Sequence, residues 1–85
     1  MDDLGTPSSY LALELGTPVF AADGTRIGTV VEILDAPDAD IFDGLMLDTD
    51  SGRRFAEASL VDEIFERGVV LKPDAGAASA LPERG

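Results

Sequence analysis

The sequence of 85 residues contains neither cysteine nor histidine, and its 17 acidic and 6 basic side chains give a formal net charge of -11 at pH 7. The two missing residue types exclude disulfides and the Cys and His ligand sets of zinc, haem and iron–sulfur sites. The acidic balance disfavours nucleic acid and anionic membranes, both of which are bound through Lys and Arg. It therefore predicts either a solubilised surface or a basic partner.

The two ends of the chain have the composition of flexible segments. Residues 1–9 are polar and include glycine, proline and two serines, which predicts a loose leader. They lack the positive charge of a signal peptide, and no apolar run is long enough to span a membrane, so a cytoplasmic location is expected. Residues 74–85 are rich in small residues with little to bury, which predicts a flexible tail with at most one helical turn. The folded domain is expected at 10–73.

The domain opens with an alternating pattern. Leu11, Leu13 and Leu15 are separated by single residues, the period of two that is typical of a half-buried strand. Ala, Leu and Glu in this segment also favour helix. After a Gly-Thr-Pro break, Asp23-Gly24 stands between two apolar runs, which predicts a β-hairpin whose two turn residues need positive φ.

The strand that leaves this turn continues to Leu34 and is rich in β-branched residues, which suit a pleated sheet. It is too long and too apolar to face water on one side throughout. We therefore expect it to bend at Gly28, so that its two halves bury different faces. Residues 35–43 are expected to form a loop dense in aspartate.

Further turn signals divide the second half of the chain. A strand at 44–49 is expected to turn at Asp50-Ser51-Gly52 and return at 53–57. Residues 59–66 leave two alternatives open: a helix, since their apolar residues share a helical face, or a single turn leading into a short strand that ends at Glu66-Arg67-Gly68. A last strand is expected at 68–72, ended by proline.

Five or six short strands with close turns predict an all-β fold. The expected architecture is a small, partly open antiparallel β-barrel, because curling removes the exposed edges that invite aggregation. The predicted interior consists of the following apolar residues: Phe20, Ile27, Val30, Leu34, Leu45, Leu47, Phe55, Ile64, Val69 and Leu71.

The segment from Leu15 to Val30 resembles the opening of PRC-barrel domains, with a glycine, an apolar strand, the Asp23-Gly24 turn and an Ile-Gly-x-Val step. The stretch 43–48 is similar to the next strand of that family, and 61–71 to its closing pair. The resemblance thus covers residues 10–72. The sequence departs from the family at 56–58, which reads Ala-Glu-Ala where a proline, often followed by an aromatic residue, is usual.

The PRC-barrel family includes the cytoplasmic domain of the photosynthetic reaction-centre H subunit and the C-terminal domain of the ribosome maturation factor RimM. The resemblance implies a β-barrel that docks on proteins or assemblies without enzymatic activity. The family defines no catalytic residues. The sequence shows neither the membrane helix of the first protein nor the second domain of the other, so neither role is inherited.

The sequence predicts no catalytic residues and no bound cofactor. Nucleophilic catalysis needs a base beside the nucleophile, and only Ser or Thr with Lys72 or a carboxylate is available. Lys72 is the sole lysine and precedes a proline at a strand end, where a solvated terminus is the simpler interpretation. Gly24-x-x-x-Gly28 lacks the Lys-Ser/Thr of a phosphate-binding loop. Acid–base chemistry needs a carboxylate in a desolvated pocket, which a barrel filled by its own side chains does not offer.

An aspartate-rich loop raises the alternative of a weak calcium-binding domain. Asp35, Asp38, Asp40 and Asp43 would supply the oxygen ligands that calcium prefers. The EF-hand pattern fails, because residue 42 is phenylalanine and the terminal glutamate is absent, and Asp48-x-Asp50-x-Gly52 is similarly incomplete. Aspartate is common in turns, where it bonds nearby backbone N–H groups. No metal ligands are therefore assigned.

The function expected from these observations is that of a non-enzymatic protein-binding adaptor of PRC-barrel type. Its partner is expected to be a protein. A basic partner is the alternative to charge that serves solubility alone, and a homodimer through an exposed strand edge is a further arrangement. Arg53 and Arg54, the only adjacent basic pair, are interpreted as guards of an edge strand rather than nucleic-acid contacts. An RNA-processing or ribosome-associated factor is the main alternative function.

Overall fold

The computed structural model describes residues 4–36, 41–78 and 80–83. Within these ranges a single sheet contains six strands, followed by a short helix α1 (Ala75–Ala78). Two one-turn 3-10 helices lie at Tyr10–Ala12 and Ala58–Leu60. The strands are β1 (Pro18–Phe20), β2 (Arg26–Ala36), β3 (Ile41–Thr49), β4 (Gly52–Glu57), β5 (Val61–Phe65) and β6 (Gly68–Leu71).

The strand order is β4-β3-β2-β1-β6-β5, and the sheet does not close. The predicted mostly β, partly open barrel-like fold is therefore confirmed. Pairing that is antiparallel throughout is wrong, because β1 runs parallel to β6, with Val19 opposite Val69. The second 3-10 helix carries the chain away from β4, and the β5–β6 hairpin joins the sheet at the free side of β1. The other described pairs are antiparallel.

The first hairpin forms around the predicted turn but with a longer loop. The Gly24 N–H donates to the Ala21 carbonyl at 2.9 Å, and the Ala21 N–H donates to the Thr25 carbonyl at 2.8 Å. Ala22 and Asp23 are therefore the central residues of the turn, and Gly24 follows them at φ +90°. The prediction that Asp23 and Gly24 form a two-residue turn is wrong in this detail, since the loop closed by Ala21 and Thr25 contains three residues, with Ala22 added before Asp23.

The two later hairpins form where they were predicted. Asp50 and Ser51 make the β3–β4 turn, and Glu66 and Arg67 make the β5–β6 turn. Over 59–66, the alternative of a short turn followed by a strand is confirmed and the helix is wrong. The same residues form β5 instead of a helix, because pairing with β6 gives the backbone N–H and C=O groups of this segment hydrogen-bond partners.

Strand β2 is irregular in both of its ladders. Ile27, next to Gly28, has no opposite residue in the β1–β2 ladder. Val31 of β2 and Asp43 of β3 have no opposite residue in the β2–β3 ladder, and such bulges turn a strand and increase its twist. Gly28 has another role, because a Cβ atom at this position would lie 2.3 Å from the Asp48 carbonyl oxygen. The glycine thus permits the close approach of β2 and β3, and the irregularity expected at Gly28 lies at the adjacent Ile27.

The first predicted strand is absent. Ala12 N–H donates to the Ser9 carbonyl, which closes a 3-10 turn instead. Leu13 packs against the core, whereas Leu11 and Leu15 are exposed, so the three leucines do not share one face. The competing helical tendency of Ala, Leu and Glu gives this segment a tight turn in place of extended backbone.

The core draws at least one buried residue from every strand. Six of the ten predicted interior residues are buried, while Phe20, Ile27, Leu34 and Phe55 are only partly buried. The sequence did not identify Val19, Ala56 or Leu81 as core. The buried cluster comprises Val19, Val30, Leu45, Leu47, Ala56, Ile64, Val69, Leu71 and Leu81.

The edge strand β5 is partly covered by residues from the start of the chain. Ser8 N–H donates to the Ile64 carbonyl at 2.7 Å, and Pro7 forms an antiparallel bridge with Phe65. A Cβ atom on Gly68 would lie 2.9 Å from a methyl carbon of Leu4, so that side chain packs on β6. Part of the predicted leader is therefore bonded to the sheet, where it supplies partners for edge groups.

The other edge strand, β4, is covered by residues near the C-terminus. Phe55 N–H donates to the Pro82 carbonyl at 2.7 Å. Ala78 and Leu81 are 5% and 8% exposed. The predicted helical turn is confirmed as α1, but the expectation that 74–85 has little to bury is wrong, since an open sheet leaves apolar surface and edge groups that this segment covers.

Candidate functional site

The basic residues singled out in the sequence lie at strand positions. Arg53 and Arg54 are on the edge strand β4, as predicted. Arg54 Nη1 lies 3.0 Å from Glu83 Oε1, with the arginine side chain 17% exposed and the glutamate 75% exposed. Lys72 is exposed directly after β6, which confirms its placement at a solvated strand end. Its backbone N–H donates to the Leu60 carbonyl.

The aspartates of the calcium alternative are not all in a loop. Strand β2 extends to 36 and β3 begins at 41, so Asp35 and Asp43 lie in strands, and both are exposed. The predicted bounds of the loop, 35–43, are wrong, because Asp35 pairs with Phe42 and Ala36 with Ile41; residues 37–40 lie outside the described residues. Asp38 and Asp40 lie outside the described residues. Among the residues that the structure describes, no group of three or more acidic side chains is arranged to hold a metal ion.

A shallow cleft of about 230 Å³ lies between the start of β2, the β3–β4 turn and α1. Its described lining includes two arginines, Arg26 and Arg54, the hydroxyl residues Thr49 and Ser51, and one carboxylate, Asp50. Thr49 Oγ1 donates to the Gly52 carbonyl at 2.7 Å and accepts the Ser51 N–H, so its hydroxyl holds the turn together. We call this side of the molecule the arginine end.

The Asp23 carboxylate is engaged by its own turn. Its Oδ1 accepts the Thr25 backbone N–H at 3.0 Å. This hydrogen bond, followed by one from the Thr25 hydroxyl, lowers the pKa of Asp23 below its ordinary value, because both bonds favour the charged form. The carboxylate therefore has a structural part in the first hairpin.

At the opposite end of the sheet, β2 and β3 continue beyond their neighbouring strands. The last β2 residue paired with β1 is Thr29, and the first β3 residue paired with β4 is Gly44. Beyond these positions the two strands pair with each other, with Asp35 opposite Phe42. We call residues 34–36 and 41–43 the arm.

One aromatic contact joins the arm to the segment 10–15, which we call the leucine segment. The rings of Tyr10 and Phe42 are stacked, with centroids 4.8 Å apart and planes 10° apart. Both rings pack against the core cluster, as does Leu13. The leucine segment thus covers core residues at the arm end and is held there by an aromatic pair, a contact with specific geometry.

Three large apolar side chains remain exposed in the two segments that this contact joins. Leu11, Leu15 and Ile41 are 69%, 63% and 49% exposed, and no other large apolar side chain in the described ranges is classed as exposed. Leu11 follows Tyr10 in the chain and Ile41 precedes Phe42. We call the three exposed side chains, with the Tyr10–Phe42 pair, the arm surface.

Local hydrogen bonds explain why Leu15 points outward. Thr17 Oγ1 donates to the Glu14 carbonyl at 2.6 Å, and Gly16 has φ +90°. The Gly16 N–H donates to the Val30 carbonyl at 2.7 Å, which fixes the turn beside β2. Leu15 lies within this tight turn and is left in solvent.

Sequence reasoning missed the arm surface. The sequence pattern predicts Leu11 and Leu15 in a half-buried strand and Ile41 in an aspartate-rich loop. A usable signal was the apolar pair Ile41-Phe42 between aspartates, since solvated turns rarely need large apolar residues. The exposure of the leucines depends on a turn that pattern alone did not indicate.

Comparisons with known proteins do not place the chain in a family: no protein-family model matches it, and no curated protein shows significant sequence similarity. The PRC-barrel resemblance therefore stays a prediction. The helices in the described part of the chain are all too short, or too polar, to cross a membrane.

Proposed function

We propose that this protein is a non-enzymatic adaptor of PRC-barrel type that docks a partner protein on the arm surface. The observation that carries the proposal is the exposure of Leu11, Leu15 and Ile41 in two segments that one aromatic contact joins. Single exposed apolar residues are ordinary, but grouped ones mark interaction sites. Here the exposed large apolar residues of the described chain all belong to two segments joined by that contact.

The fold supports the PRC-barrel part of this proposal. Six short strands in one open sheet, with hairpins at the positions that carry the resemblance, are what a small barrel of this type requires. A docking role also agrees with the position of the arm, which extends beyond the strands that flank it. We expect the adaptor to act in the cytosol.

The coverage of both sheet edges favours the arm surface over edge pairing. Residues 7 and 8 bond to β5, and Pro82 bonds to β4. A homodimer through either edge would have to displace these segments. An RNA-binding role would have to overcome the net charge of -11, because phosphate contacts depend on basic side chains.

The proposal is tested by affinity capture with the full chain and two matched triple variants. The first changes Leu11, Leu15 and Ile41 to serine. The control changes three exposed alanines outside the arm surface to serine: Ala22, Ala77 and Ala80. Circular dichroism and thermal melting establish that each variant is folded before capture.

We expect partner proteins to be retained by the wild type and by the alanine-site control but lost from the Leu11/Leu15/Ile41 variant. Equal retention by both variants would place docking elsewhere and overturn the proposal. Capture dominated by RNA, and abolished by nuclease treatment, would replace it with the nucleic-acid alternative.

A further inference from the structure

Charge is unevenly distributed along the chain. Apart from Arg26, all basic residues come after position 52, so neither 4–25 nor 27–52 contains a lysine or an arginine. The leucine segment and the arm both fall within these ranges. The exposed charged residues of these two segments are all carboxylates: Glu14, Asp35 and Asp43. A fourth exposed carboxylate, Glu32, lies in the adjoining part of β2.

These four carboxylates are not neutralised within the described structure. None of the four takes part in the ion pair that joins Arg54 to Glu83. The nearest basic residue along β2 is Arg26, at the other end of the strand. Along β2, Glu32 is six residue steps and Asp35 nine residue steps from Arg26, about 20 Å and about 30 Å at about 3.3 Å per residue. Both distances exceed the Debye length of about 8 Å at physiological salt.

From this arrangement we infer that the partner docked on the arm surface is a basic amphipathic segment, with apolar residues that cover Leu11, Leu15 and Ile41 and with Lys or Arg beside them. This inference rests on the proposed function and specifies its partner. Apolar side chains would supply the buried contact. The basic side chains would meet carboxylates that take no part in the ion pair of Arg54 with Glu83, which gives charge complementarity.

The same charges argue against two other occupants. A second copy docked through the same surface would bring Glu14, Glu32, Asp35 and Asp43 against an identical set, and like charges facing each other weaken association. An anionic membrane or a nucleic acid would meet the same repulsion. A basic protein segment satisfies both the apolar and the charged part of the surface.

The test uses the intact chain and three synthetic amphipathic peptides with the same leucine positions. Their polar positions carry lysine, glutamine or glutamate. Affinities are measured by fluorescence anisotropy at about 0.05 M and about 0.3 M salt, because ionic strength screens exposed charges. We expect the lysine peptide to bind most tightly and to lose affinity as salt increases.

Two charge-neutralised variants separate a local effect from the overall charge. The arm variant carries Glu14→Gln, Glu32→Gln, Asp35→Asn and Asp43→Asn. The matched control also neutralises two glutamates and two aspartates, at exposed positions away from the arm: Asp50→Asn, Asp62→Asn, Glu63→Gln and Glu83→Gln. Each lost surface pair is expected to weaken binding about 1.5- to 5-fold, so the arm variant should lose far more affinity than the control.

The outcomes distinguish this inference from the proposed function. Equal weakening in both four-site variants would show attraction to the overall charge and overturn the inference. The lysine and glutamine peptides could instead bind equally well, with binding abolished by the serine changes at Leu11, Leu15 and Ile41. That result would overturn the inference about a basic partner but leave the proposed function standing. Failure of the lysine peptide to bind would overturn the inference, and the affinity capture described above would then decide the proposed function separately.

Discussion

The ring of Tyr10 lies almost parallel to the ring of Phe42, with 4.8 Å between their centroids. This contact joins two segments that are distant in the chain, the leucine segment and the arm. Both rings also pack against the core, so the pair couples the interior of the sheet to the exposed surface around it. The position of Leu11 relative to Ile41 therefore depends on a contact that also stabilises the fold.

Replacement of either ring by leucine keeps apolar bulk but removes the stacking. Tyr10→Leu and Phe42→Leu are each expected to lower the free energy of unfolding, with about 0.5–1.5 kcal/mol of the loss due to the ring pair itself. Equilibrium urea unfolding measures this. In a double-mutant cycle the two effects should be less than additive by that amount. Strictly additive losses would show that the rings do not interact.

Gly28→Ala is expected to be among the most destabilising single-methyl changes in the chain. The added Cβ would lie 2.3 Å from the Asp48 backbone oxygen, and backbone cannot move aside as a flexible side chain does. Overpacking of this kind costs about 1–3 kcal/mol, and occasionally more. Thermal and urea unfolding report the change.

Gly76→Ala is the control for this prediction. Position 76 lies in α1, and an added Cβ would meet Asp74 Oδ1 at an ordinary 3.5 Å. Alanine is also the better helix former, so stability should be unchanged or slightly raised. A similar loss in both variants would contradict the role assigned to the β2–β3 approach.

Local turn chemistry made much of the sheet predictable. Asp50 and Ser51, and Glu66 and Arg67, are turn residues between apolar runs, and they form the turns that were expected. The parallel pairing of Val19 with Val69 was not predictable in this way. It depends on which free edge the last hairpin joins, and no pattern within either strand encodes that choice.

The candidate site was harder to predict than the sheet. An alternation such as Leu11, Leu13 and Leu15 fits a strand as well as a compact turn, and the outcome depends on tertiary contacts of Tyr10 and Leu13. The prediction that residues 74–85 have little to bury is wrong for a similar reason. Leu81 is buried because an open sheet leaves core surface to be covered, a property of the whole fold.

The C-terminal residues are expected to contribute to stability through packing more than through charge. Leu81→Ala removes a core side chain that is 8% exposed, and such truncations cost about 2–5 kcal/mol. Glu83→Gln breaks an ion pair whose glutamate is 75% exposed, for which less than about 1 kcal/mol is expected. Urea unfolding of the two variants compares them directly. A larger loss for Glu83→Gln would reverse the order of the two contributions.

The first hairpin is expected to carry a small pH-dependent contribution to stability from Asp23. Hydrogen bonds from the Thr25 N–H, and then from its hydroxyl, lower the pKa of Asp23 in the folded protein. A carboxyl group with a lower pKa in the folded state than in the unfolded state stabilises the fold when it is ionised. The contribution is therefore fully present above the unfolded-state value, about 4, and is lost as pH falls through the folded-state pKa.

Thr25→Val separates the two hydrogen bonds. The variant keeps the backbone N–H, the larger cause of the shift, and removes the hydroxyl. The pKa of Asp23, followed by NMR of the carboxyl carbon, should therefore rise only part of the way towards the ordinary aspartate value. In parallel, the stability difference between wild type and Asp23→Asn should shrink as the pH is lowered below about 4. An Asp23 pKa unchanged by Thr25→Val would show that the hydroxyl does not contribute to the lowered pKa. A stability difference between wild type and Asp23→Asn that grows in acid would contradict the stabilising role of Asp23 in the hairpin.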